Sequence, residues 1–190
     1  MTSKHRFSHI LPLLAAAILI WGCSGPSVFL DRTYDFSYVE KVAVIPLENL
    51  SQSQNAGRQA TLILNTELLA SETFSLVEPG ETAKVLGEIA ARSPQYDLEQ
   101  IKEIGRRLEA QALIIGTVSE TSTLRSGGVT VPTVTVDLRM VETETGATVW
   151  AASATEGRPG LWATLFGLAG KSNSETLRDC IQDILKTLIK

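Results

Sequence analysis

After residue 40 the chain switches between two hydrophobic periods, and the switches lay out its elements. Lys41 to Leu47 (KVAVIPL) is a short, almost continuous apolar run rich in β-branched residues, the pattern of a strand with neighbours on both sides. Asn49 to Gly57 is polar and turn-like. Gln59 to Ala70 then carries Ala60, Ile63, Leu64 and Leu68 at helical spacing, and Phe74 to Val77 is a second short strand ended by Pro79-Gly80. Glu81 to Ala91 is helical by propensity and stops at Ser93-Pro94. Asp97 with Gln100 opens a further helix as a capping box, its stripe made by Leu98, Ile101, Ile104 and Leu108.

The second half changes to period two. Ala112 to Ser119 is a third strand, and Arg125 to Val131, with Gly127-Gly128, reads as a turn or loop between antiparallel strands. Val131 to Glu142 alternates, with Val134, Val136, Leu138 and Met140 on one face and Thr133, Thr135, Asp137 and Arg139 on the other. Thr143 to Gly146 is a tight turn with a glycine available for positive φ, and Ala147 to Thr155 returns as the last strand. Ser172 with Glu175 caps a final helix whose stripe is Leu177, Ile181, Ile184, Leu185 and Leu188. The order β-α-β-α-α-β-β-β-α predicts a single α/β domain, a mixed sheet with helices packed against it.

The start of the chain has a different character. Lys4 and Arg6 precede an apolar run from Ile10 to Trp21, too short to span a bilayer, which needs roughly 20 residues. A charged start, a short apolar span and a small-residue end make a signal peptide. Ile20-Trp21-Gly22-Cys23 resembles the lipobox of bacterial lipoproteins, in which the cysteine is acylated and becomes the new N-terminus. Trp21 departs from that pattern, which usually has a small residue there. The alternative is an ordinary signal cut nearby. The expected organisation is a signal peptide over 1–22, a lipidated tether over 23–40 and the α/β domain over 41–190. Gly25 to Tyr38 has no period, although Phe29, Tyr34, Phe36 and Tyr38 suggest that part of it packs on something. Ser24 is not the Asp that resembles an inner-membrane retention signal, so the expected location is the periplasmic face of the outer membrane, with Cys23 in its lipid.

Composition narrows the chemistry. Removing the first 22 of the 190 residues leaves 168, enough for one core, and takes away Lys4 and Arg6, so the formal charge of −4 becomes −6. That argues against nucleic acid as a partner. Both histidines, His5 and His9, leave too, and with them the commonest general base and metal ligand. With Cys23 acylated, Cys180 has no partner in the chain. It is expected to be a buried inert thiol, the alternative being an intermolecular disulfide. No phosphate loop is present, and Ser119-Glu120 lacks a base. The carboxylates Glu99, Glu103, Glu109, Asp137, Glu142 and Glu144 read as solvated charges rather than a glycosidase pair. No metal, cofactor or catalytic residue is expected.

The runs VAVIPLENLS, FSLVEPGET, ALIIGTVSE and VDLRMVETETGATVWAA resemble the lipoproteins related to the curli secretion protein CsgG, a group that includes the polysaccharide-export lipoprotein PelC and the penicillin-binding-protein activator LpoB. The resemblance spans about Val42 to Ile189. It implies an anticodon-binding-like or TolB-N-like domain and, for several members, rings. The connections Glu120 to Val131 and Thr143 to Gly146 are too short for the membrane hairpins of a CsgG-type pore.

One stretch stands above background: GLWATLFGLAG, residues 160–170. Leu161, Trp162, Leu165 and Phe166 are expected to touch lipid headgroups or a neighbouring subunit, or else to fold onto the sheet as core. The leading expectation is a non-enzymatic outer-membrane lipoprotein, an oligomeric scaffold or accessory subunit of an export or envelope-assembly machine. The alternative is a monomeric activator of a peptidoglycan synthase, with an enzyme third.

Overall fold

The computed structural model describes residues 25–89, 96–126, 129–157 and 171–189. Among these residues seven strands form one mixed sheet: β1 (Ser27–Leu30), β2 (Lys41–Val44), β3 (Glu48–Asn49), β4 (Ser75–Leu76), β5 (Ala112–Ser126), β6 (Val129–Glu142) and β7 (Thr148–Glu156). The helices are α1 (Ala56–Ser71), α2 (Pro79–Ile89), α3 (Leu98–Leu108) and α4 (Asn173–Leu185), with a short 3-10 turn at Phe36–Tyr38. The strand order is β1-β7-β6-β5-β2-β4, and β3 also pairs with β5. β2 runs parallel to β4 and β5, while β5, β6, β7 and β1 are successively antiparallel. This is the single mixed-sheet α/β domain that the hydrophobic pattern implies.

The period-two reading of β6 holds residue by residue. Val134, Val136, Leu138 and Met140 are buried against the α1 and α4 side, with Leu64, Leu68, Leu177 and Ile181 across from them in one core. Ala43, Ile45, Leu113, Ile115 and Val141 face the other way, under Val85, Ile101, Ile104 and Leu108 of α2 and α3. Among the described residues, helices cover that second face at its β4-β2-β5 end. Toward β1 it carries half-buried Asp137, Arg139, Ala151 and Ser153.

The helix ends follow their chemistry. Asp97 and Ser172 both form the capping boxes expected with Gln100 and Glu175. Pro79, expected to end a strand, follows β4 and also opens α2, since a first helical position needs no N–H and suits proline's fixed φ. Leu98, expected in the α3 stripe, is largely exposed and rests against Gly146 of the hairpin turn. Gly146 has the positive φ of 71° that this turn requires. Buried Glu142 organises the same turn, its carboxylate accepting from the N–H groups of Glu144 (2.9 Å) and Thr145 (2.8 Å).

Two stretches differ from the sequence reading. Residues read as a loop from Arg125 to Val131 include strand: β5 and β6 stay paired out to Ser126 and Val129. Threonine and valine keep these positions extended although the face pattern has faded. Among the described residues, the ladder beyond Val118 on β5 and Val134 on β6 pairs these two strands with each other, a ribbon roughly 20 Å long at about 3.3 Å per residue. A bulge at Ser119, where Val118 opposes Val136 but Glu120 opposes Thr135, marks its base. The second difference is β1 itself, which lies within the stretch read as tether.

Candidate functional site

The residues singled out from the sequence, Cys23 and the quartet Leu161, Trp162, Leu165 and Phe166, lie outside the described residues. What the structure supplies is the place where the chain joins the domain. Ser27 to Leu30 pair antiparallel with β7, Ser27 opposite Ser153 and Leu30 opposite Trp150. Only Ser24, Gly25 and Pro26 separate Cys23 from this strand.

The lead-in between β1 and β2 is held to the domain by its side chains. Tyr34 and Phe36 meet edge to face, ring centroids 5.1 Å apart at 83°, and pack against the α1/α4 core. The Asp35 carboxylate accepts from the Ser37 N–H (3.0 Å) and starts the 3-10 turn. Those hydrogen bonds from Ser37 also hold Asp35 below the usual carboxylate range. Tyr38 donates to Glu144 at 3.0 Å. Burial, with Glu142 near it, pushes the Tyr34 phenol up to about 12.

β1 is an open edge. Val28, Phe29 and Leu30 are 47%, 53% and 40% exposed, and none of Ser27 to Leu30 is charged. Phe29 stands in register with Ala151 and Arg139, on the part of the sheet face away from α2 and α3. There, Ser27, Phe29, Ile115, Thr117, Asp137, Arg139, Ala151 and Ser153 border a shallow groove of about 480 Å³. Ser119, the one residue with a nucleophile-like context, donates to Asp137 at 3.0 Å. With no histidine after His9, that pair has no base, and it ties the bulge to β6.

The other carboxylates lie on α3 or at its end. Glu103 takes both guanidinium contacts of Arg106, Glu99 pairs with Lys102 at 3.7 Å, and Glu109 ends α3 in a left-handed conformation. Asp137, Glu142 and Glu144 are engaged as described above. Among the described residues no group of three or more His, Cys, Asp or Glu is placed to hold a metal ion, and no helix is long and apolar enough to cross a membrane. Cys180 is fully buried, its thiol 3.3 Å from Ala154 O, and burial together with the Glu156 carboxylate pushes it up to about 12.

No curated protein matches the chain. Among solved structures, the PelC dodecamer from Paraburkholderia phytofirmans is similar at a TM-score of 0.59 and 19% identity, over 87% of this chain and 98% of that one. Lipoprotein GNA1162 from Neisseria meningitidis is similar at 0.55 and 18%, over 78% and 97%. At these identities the likeness is one of fold. The family model described as peptidoglycan-synthase activator LpoB matches residues 28–155, from the middle of β1 to the end of β7, and the chain belongs to that family.

Proposed function

We propose that this chain is a non-enzymatic lipoprotein, held by acylated Cys23 at the periplasmic face of the outer membrane. It serves there as an oligomeric scaffold or accessory subunit of an export or envelope-assembly machine. The observation that carries this reading is the position of β1. With the sheet beginning at Ser27, the path from Cys23 to the folded domain is about 14 Å at most, at about 3.5 Å per residue. A domain so placed works at the membrane surface and not across the periplasm. The fold shared with a protein crystallised as a dodecamer supports assembly into homo-oligomers, and the wider kinship with CsgG-related lipoproteins belongs to the same proposal. Leu161, Trp162, Leu165 and Phe166 would meet lipid or a neighbouring subunit, so Trp162→Ala with Phe166→Ala weakens vesicle binding or assembly.

The test is the mass of the acylated protein extracted in mild detergent. Mass spectrometry gives the N-terminal modification, and light scattering gives the copy number. An acylated, defined oligomer is expected; an unmodified N-terminus released by osmotic shock overturns the reading.

A second reading follows from the family description: a monomeric activator that binds a peptidoglycan synthase. An acylated monomer that binds a purified synthase domain and raises its activity would establish it over the scaffold.

A further inference from the structure

The open edge of β1 has a definite hydrogen-bonding phase. The Asp31 N–H donates to Val149 O at 2.9 Å, and the register places these two residues opposite each other. Antiparallel ladders alternate bonded and non-bonded pairs, so Ser27 and Phe29 aim their backbone groups at β7. The N–H and C=O of Val28 and Leu30 therefore point out of the sheet. Exposed apolar side chains on both faces of such an edge make a template for another strand. Lipid does not meet the need. The side chains could enter it, but the outward backbone groups would go with them into a medium that cannot hydrogen-bond.

We infer that β1 pairs antiparallel with β1 of a second copy of this chain, about a two-fold axis at Phe29. The pairing rests on the anchored, oligomeric reading above and gives it an interface. Val28 and Leu30 flank Phe29 symmetrically, so an inverted copy sets Val28 against the partner's Leu30 and satisfies every outward group of both strands. The edge is uncharged in a mature chain of formal charge −6, so copies meet here without the repulsion they meet elsewhere. The short path to Cys23 holds every copy's β1 at nearly one height over the same membrane. A four-residue pairing falls well below the roughly 1,600 Å² of a standard interface, so it is weak in free solution and depends on confinement to a surface.

The test uses the full acylated chain in vesicles of phosphatidylethanolamine and phosphatidylglycerol, with Phe29→Cys, Val28→Cys and Leu30→Cys made singly. Buried Cys180 and acylated Cys23 do not interfere. Phe29 faces its own copy in a non-bonded pair with Cα atoms about 4.5 Å apart, within disulfide range. Mild oxidation is expected to give at least tenfold more covalent dimer for Phe29→Cys than for either other variant alone, and Val28→Cys mixed with Leu30→Cys cross-links as well. Adding Val28→Pro to Phe29→Cys abolishes the cross-link, because it removes an outward N–H and leaves the β7 ladder intact. Equal cross-linking at all three positions overturns the inference, as does a Phe29→Cys thiol that forms no dimer and is shielded from a water-soluble maleimide. If the chain is oligomeric by light scattering but Phe29→Cys stays uncoupled, this interface is wrong and the scaffold reading stands. An acylated chain that is monomeric and uncoupled overturns both.

Discussion

The side chain of Thr143 occupies the space that a Cβ on Gly105 would need. Gly105 is buried on α3, and Thr143 opens the β6–β7 turn, its hydroxyl donating to Ala110 O at 2.8 Å with Gln111 O 3.0 Å away. Helix, hairpin and the start of β5 are locked at one point. Alanine favours a helix over glycine by about 1 kcal/mol, yet here overpacking costs about 1–3 kcal/mol and the Thr143 hydroxyl bond besides. Gly105→Ala is therefore expected to lower the urea midpoint, and Thr143→Ala not to rescue it, because the atom nearest the new methyl is the Thr143 Cβ, which alanine keeps, while the hydroxyl bond to Ala110 O is lost.

Trp150 is fully buried, and its indole N–H donates to Thr187 at 3.0 Å, joining the strand beside β1 to the end of α4. Thr187→Val keeps the shape and removes the acceptor. The stranded N–H is expected to cost about 1–3 kcal/mol in urea unfolding.

Cys180 should be silent in the native state. Its thiol, held near 12 by burial, carries almost no thiolate at pH 8, and no surface path reaches it. Reaction with iodoacetamide is expected only after denaturation. Rapid native labelling would contradict the buried placement.

Glu156 gives a pH dependence of definite sign. Burial, then the charge of Asp183 and a hydrogen bond with it, raise its carboxyl above the ordinary 4.5, with Lys171 pulling the other way. The folded state thus holds the proton more tightly than the unfolded chain, and ionisation costs stability above the raised value but not below 4.5. Glu156→Gln is expected to raise the melting temperature at pH 7.5 and to give no gain at pH 4.

What could be read from the sequence was whatever is local. The alternation of Val134 to Met140 and the boxes at Asp97 and Ser172 show in short windows, and they appear as read. β1 could not be read that way. Four residues with every side chain exposed have no face pattern, and their strand character comes from Trp150 to Ser153, far along the chain. The aromatics at Tyr34 and Phe36 were the available hint that the lead-in packs. Of the candidate site, the sequence marked Cys23 by its context, but the shortness of the link to the sheet came from the fold.

The extra residue at Ser119 has a mechanical meaning. The ladder partner of Glu120 to Ser126 is β6, so the heading of this paired arm depends on the single insertion that bends its base. Deleting Ser119 would leave every later partner unchanged and straighten the joint, so the arm would swing to a new bearing while the body kept its shape. Length changes at this one position are thus a way for the chain to re-aim its reach without rebuilding its core.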